Sequence, residues 1–168
     1  VYGYPYANAT GMVEISPIQL ALKHLRPLAD GDRIAILLSD HTTGRKNLES
    51  FKQILKMTFA AEALVGTFDD WKRNFLDLQA KADMLLLSAP GGIAGWDDAE
   101  AERFILSNAR IPIGTDEPEY KRLALLGVAK IPEEHGEYAA ALALKILAGA
   151  SPSDFPVVKS KRGDQIGR

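Results

Sequence analysis

Three short polar segments carry most of the side chains in this chain that could do chemistry. Asp40 leads into His41-Thr42-Thr43-Gly44, Ser88 opens Ser88-Ala89-Pro90-Gly91-Gly92, and Thr115 opens Thr115-Asp116-Glu117-Pro118. Hydroxyls, carboxylates and free backbone amides of this kind suit hydrogen bonding to a small polar molecule. Covalent and metal chemistry find less support. The chain has no cysteine, which excludes thiol catalysis, disulfides and cysteine-based zinc sites. None of His24, His41 and His135 has a partner at the i,i+3 or i,i+4 spacing of a helical metal site, so neither a metal centre nor a cofactor is expected. His24 and His135 read as helix-surface residues, whereas His41 sits on a site-facing loop and is a candidate ligand contact. There is no GxSxG elbow, GxxxxGK[ST] loop or GxGxxG turn, so the usual hydrolase, nucleotide and dinucleotide geometries are missing. The acidic pairs Asp69-Asp70, Asp97-Asp98 and Glu133-Glu134 fall in first helical turns, where the helix dipole accounts for them without catalysis.

The elements that must position these segments alternate between strand and helix. A short extended stretch at 12–15 precedes a helix started by Ser16-Pro17, with Ile18, Ala21, Leu22 and Leu25 on one face and Pro27 ending or kinking it. Residues 33–40 form a buried strand that emerges into the loop at His41. Leu48, Phe51, Leu55 and Thr58 follow at helical spacing, then a short strand at 62–65. Thr67 and Asp70 resemble a capping box, after which Trp71, Phe75, Leu78 and Ala82 share a core face. An apolar strand at 84–87 leads to an exposed turn at 88–92. Asp97 and Glu100 cap a helix buried through Phe104 and Ile105, and a strand at 111–114 opens at Thr115.

Such alternation with short loops specifies a mainly parallel sheet with helices on both faces, because right-handed crossovers allow little else. Ligands of these sheets sit beyond the carboxyl ends of the strands, and all three polar segments occupy that edge. A receiver-like reading built on Asp40 and Lys130 fails on detail. A phosphoryl-accepting site wants paired acids after the first strand and an aspartate ending the central one, where this chain has Ser39-Asp40 and Ser88-Ala89.

At 168 residues, 46% hydrophobic and 25% charged, the chain is the size of one domain with a proper core. A net charge of −2 with scattered Lys and Arg argues against nucleic acid and anionic lipid, leaving a small-molecule partner. No apolar run approaches the roughly 20 residues of a membrane span. The chain opens at Val1 without a methionine or signal-peptide features and is expected to be a piece of something longer.

The last third is the most telling. The apolar run 123–129 reads as a buried strand, Ile131-Pro132-Glu133-Glu134 as a well-specified helix start, and Gly149 as a left-handed helix end. Ala139, Leu142, Ala143, Ile146 and Leu147 make one apolar stripe, and Pro152 and Pro156 are expected to force extended chain. This order resembles the closing segment of the substrate-binding proteins of ABC importers. The resemblance extends to Asn8-Ala9-Thr10-Gly11-Met12-Val13-Glu14, similar to the N-V-T-G-V stretch where that family's chain crosses between lobes, a reading preferred to glycosylation of Asn8. Phe68-Asp69-Asp70-Trp71-Lys72, the block from Ala94 to Glu102 and the block from Ala129 to Ala140 are similar to those of one uncharacterised branch.

The resemblance implies the type I periplasmic binding fold: an α/β three-layer sandwich with a Rossmann-like sheet in each of two lobes, and ligand held between them. This chain would then be a single domain comprising the second lobe, about 30–122, with crossover segments 1–29 and 123–168 that contact a first lobe outside it. The helix at 132–148 would pack on that lobe, or otherwise stay exposed or pair in a homodimer. By position, Asp40, His41, Thr42, Thr43, Ser88, Pro90, Thr115 and Asp116 would line this lobe's half of the cleft. The implied function is non-catalytic capture of a small polar, amino-acid-like solute for an ABC permease, in the periplasm or lipid-anchored outside the cytoplasmic membrane. Asp116-Glu117-Pro118-Glu119 is more acidic than the family pattern and favours a cationic group on the solute. A ligand-sensing module of a signalling protein and a small α/β enzyme are the alternative readings.

Overall fold

The computed structural model of the chain describes residues 7–89 and 91–167. Its centre is a six-stranded sheet in the order β3-β2-β4-β5-β6-β8. The strands are β2 (Ile34–Ser39), β3 (Ala61–Val65), β4 (Met84–Ser88), β5 (Ile113–Thr115), β6 (Leu126–Lys130) and β8 (Gly163–Gly167). The first five in that order run parallel, and β8 closes the edge antiparallel to β6, with Val128 opposite Gln165. A separate two-stranded sheet pairs β1 (Met12–Val13) in parallel with β7 (Val158–Lys159), so the two ends of the chain run side by side.

Burial explains the layers. β2 and β4 are buried along their whole length, as strands covered on both faces must be. Their side chains alternate between two cores. Ile34, Ile36, Leu38, Met84 and Leu86 pack with Ile18, Leu22 and Leu25 of α1 (Ile18–Leu25) and Leu48 and Phe51 of α2 (Thr42–Gln53). Ala35, Leu37, Leu85 and Leu87 pack on the opposite face with Trp71, Phe75 and Leu78 of α3 (Phe68–Gln79) and Ala101 and Ile105 of α4 (Asp98–Asn108). This is the α/β three-layer sandwich that the sequence predicts. The aromatic face of α3 is core, with Trp71 stacked on Phe75 at a centroid distance of 5.4 Å.

Helix starts follow their caps. Thr67 Oγ1 accepts the Asp70 N–H at 3.2 Å, and the Asp70 carboxylate takes the Thr67 hydroxyl at 2.8 Å, so the box closes through side chains rather than through the Thr67 backbone N–H. Asp97 Oδ1 accepts the Glu100 N–H at 2.7 Å at the start of α4. α5 (Pro132–Leu147) begins at the proline as expected, and Gly149 follows it at φ +104°.

Several boundaries differ from the sequence reading, each for a physical reason. His41-Thr42-Thr43-Gly44 is not a loop: His41 caps α2, which begins at Thr42. α2 ends at Gln53, before Leu55 and Thr58, and Lys56 turns the chain at φ +56°. Ser88 is the buried last residue of β4 rather than part of an exposed turn. The strand expected at 123–129 begins only at Leu126, because Leu123 and Ala124 donate back to the Tyr120 carbonyl in a buried turn. Pro152 initiates a 3-10 turn at Pro152–Asp154 instead of extended chain, and extension waits for β7. Of the apolar stripe on α5 only Leu142 is buried and Leu147 is 83% exposed, while Leu144, outside that stripe, is 69% exposed.

Candidate functional site

In chain order the five parallel strands are arranged 2-1-3-4-5, so successive connections diverge between β2 and β4. A crevice opens beyond the carboxyl ends of the strands at such a switch point. A cavity of 520 Å³ is found there, lined by His41 and Thr43 after β2, Ala89 and Gly91 after β4, and Glu117, Glu119 and Tyr120 after β5, with Trp96 and Asp98 from the start of α4.

The β4 loop is pinned by β2. The Ala89 carbonyl accepts both the Ser39 N–H and the Ser39 hydroxyl, and Ala89 itself is buried at φ +50°, a backbone conformation uncommon outside glycine. His41 Nδ1 accepts the Gly44 N–H at 3.0 Å. Gly44 is needed beneath it, since a Cβ there would fall 2.0 Å from the Ser39 carbonyl oxygen. The aromatic wall is continuous with the core: Trp96 lies edge-on to Trp71 and its indole N–H donates to Asp98 at 2.7 Å, and Tyr120 packs 5.6 Å from Trp96.

The electrostatics are those of a partly dry acidic site. Burial and the neighbouring Asp116 raise the Glu117 carboxyl to a pKa of about 7, against the pull of Lys130 and the Ala89 backbone. Burial also raises the Tyr120 phenol. Asp116 is 2% exposed and accepts the Ser16 hydroxyl, which ties the segment before α1 to the end of β5. Burial raises its pKa, opposed by the hydroxyls of Ser16 and Ser88 and the charge of Lys130. Asp116 Oδ1 and Ser88 Oγ are both buried without a hydrogen-bond partner among the described residues.

The predicted site residues therefore separate. His41 and Thr43 line the switch-point cavity. Asp116 lines a second one of 610 Å³, enclosed by the segment 12–16, α2, Lys130 and β7. Asp40 ion-pairs with Arg45 at 2.6 Å, which holds its pKa down, and Thr42 is exposed; both lie outside the two cavities. Thr115 is buried, donating to the Leu87 carbonyl at 2.7 Å and accepting the Glu117 N–H at 3.0 Å, so it shapes the turn that carries Glu117. Pro90 lies outside the described residues. Trp96, Asp98 and Tyr120 line the cavity without having been predicted to; the one available signal was aromatic and acidic residues just after a site loop. Among the described residues no group of three or more His, Cys, Asp or Glu side chains could hold a metal ion. No helix among them is long and apolar enough to cross a membrane.

No family model matches the chain, and no curated protein matches it. Solved structures do. The chain is similar to an ABC domain from Streptococcus pneumonia in complex with L-Trp (21% identity, TM-score 0.57). It is similar to the ligand-free, open structure of a substrate-binding protein with adhesive properties from Clostridium difficile (20%, 0.69), and to a conserved domain protein from Vibrio cholerae (18%, 0.57). Each likeness covers 93% of this chain and 54% of the other, so the chain spans about half the length of the structures it matches. At these identities the likeness is one of fold: over that half, the chain folds as substrate-binding proteins do.

Proposed function

We propose that this chain is the second lobe of a non-catalytic solute-binding component of an ABC importer, which captures a small amino-acid-like solute and presents it to permease subunits. The observation that carries this reading is the switch-point cavity, which combines carboxylates, an imidazole and two aromatic faces at the edge where such sheets bind ligand. The bare apolar face of α5 supports a first lobe packed on the crossover segments 1–29 and 123–168, since Leu144 and Leu147 are uncovered here. The residues we assign to this lobe's half of the cleft are His41, Thr43, Trp96, Glu117 and Tyr120, with Asp116 behind them. Such a component would work outside the cytoplasmic membrane, free in a periplasm or lipid-anchored.

A thermal-shift panel of the proteinogenic amino acids tests the reading. The full-length polypeptide is expected to gain stability with at least one of them, and the 168-residue chain to respond weakly, because half of the cleft lies on the other lobe. Equal responses from both, or none from the full-length protein, would refute it.

A further inference from the structure

His41 holds an unused donor. Because Nδ1 accepts the Gly44 N–H at 3.0 Å, its lone pair is committed and the neutral ring must carry its proton on Nε2. The Ser39 hydroxyl, 3.3 Å from Nδ1, does not compete, since it donates to the Ala89 carbonyl. The ring also has little freedom to turn over. Its Cδ2 edge rests on Gly92, where a Cβ would come within 2.9 Å, and flipping it would put a C–H against the Gly44 N–H. Nε2 points past Gly91, at which a Cβ would stand 3.5 Å away, and no acceptor among the described residues takes its proton.

The opposite side of the cavity has the reverse chemistry. His41 follows β2 and Glu117 follows β5, with β4 between them, so they stand two strand spacings apart, about 10 Å at the backbone. Around Glu117 are Asp98, Glu119 and the rings of Trp96 and Tyr120, a set that favours a positive charge. A solute spanning the cavity must offer an acceptor at one end and a cation at the other.

We infer that His41 is the residue that selects the solute, its Nε2–H donating to a carboxylate on the solute while the solute's cationic group faces Glu117. This rests on the binding role proposed above and narrows it to zwitterions. His41 acts by direct contact, and the α2 terminus acts through it by fixing the tautomer.

Calorimetry on the full-length polypeptide tests the inference. The tightest-binding amino acid is compared with its decarboxylated amine and with its deaminated acid, on the wild type, H41N and H41Q. Asparagine keeps the cap, since its Oδ1 can accept the Gly44 N–H, but cannot reach as far as Nε2. Glutamine reaches with an N–H and caps poorly. The wild type is expected to prefer the amino acid to either analogue by about tenfold or more. H41N should melt like the wild type yet lose the preference over the amine while keeping that over the deaminated acid; H41Q should keep both. An amine bound as tightly as the amino acid by the wild type, or full discrimination in H41N, would overturn the role of His41 and leave the solute-binding reading standing. Failure of every amino acid to bind would overturn both.

Discussion

Trp96 meets Trp71 edge to face, with ring centroids 5.1 Å apart and planes at 88°, so one wall of the candidate binding cavity is built directly on the hydrophobic core. Trp71 is fully buried among Phe68, Phe75 and Phe104, and Trp96 is the ring through which that cluster reaches the cavity. The two tryptophans should therefore separate stability from binding.

Trp71→Ala removes the largest fully buried side chain and is expected to cost about 3–5 kcal/mol, since the stacked rings around it cannot all collapse inward. Trp96→Ala leaves the core rings in place, so it should cost about 1 kcal/mol while weakening solute binding. Denaturant midpoints and calorimetry of the two variants check the split. Comparable stability losses would mean that Trp96 is only another core residue.

Glu117 should make stability depend on pH in a defined direction. Burial raises its carboxyl from an ordinary value of 4.5, that of the unfolded chain, to about 7, so the folded state holds the proton more tightly. Its stabilising contribution is then fully present below about pH 4.5 and is lost as pH rises toward 7. Asp116, also raised by burial, has the same sign, so the informative quantity is the difference between wild type and Glu117→Gln. That variant should be the more stable by about 1–2 kcal/mol at pH 8, allowing for partial exposure, with the gap closing toward pH 4.5. Urea titrations across this range give the answer, and a gap independent of pH would contradict it.

The Ser16–Asp116 contact should behave as a partly buried hydrogen-bonded pair. Burial disfavours the charge on Asp116, and asparagine keeps an Oδ1 acceptor for the Ser16 hydroxyl without that charge, so Asp116→Asn is expected to be nearly neutral. Asp116→Ala leaves the Ser16 hydroxyl without its acceptor and should cost about 1–3 kcal/mol. Thermal melts of both variants near pH 7 separate the cases.

How much of this was legible beforehand depends on the kind of signal. β2 and β4 could be read because burial on both faces leaves an unbroken apolar run, and α3 because a cap and a 3.6-residue aromatic period agree. The run at 123–125 misled for the same reason: a buried turn and a buried strand have the same composition, and only hydrogen bonding to Tyr120 distinguishes them. Topology alone placed the three polar segments on one edge. Of the side chains that turn into the cavity, His41 and Thr43 were legible from their place after β2, whereas Glu117 and Tyr120 were not, because the 3-10 turn Pro118–Tyr120 orients them, and nor was the cap that fixes His41, which forms only once Gly44 packs on Ser39. Neither feature leaves a periodic trace.

The exposed face of α5 gives the sharpest test of the two-lobe arrangement. Leu144 and Leu147 contribute little to the stability of this chain, because substitutions at exposed positions away from special features typically change it by less than about 0.5 kcal/mol. If a first lobe covers α5, the same residues become core in the full-length protein, where truncating a buried leucine costs about 2–5 kcal/mol. The double variant Leu144→Ser, Leu147→Ser should thus be silent in the 168-residue chain and strongly destabilising in the full-length polypeptide. Denaturation of both lengths, with sedimentation to reveal any dimer formed through the bare helix, makes the comparison. A dimer of the short chain that the double variant dissolves would show the same face satisfied by a second copy, whereas equal, small effects at both lengths would remove α5 from any interface.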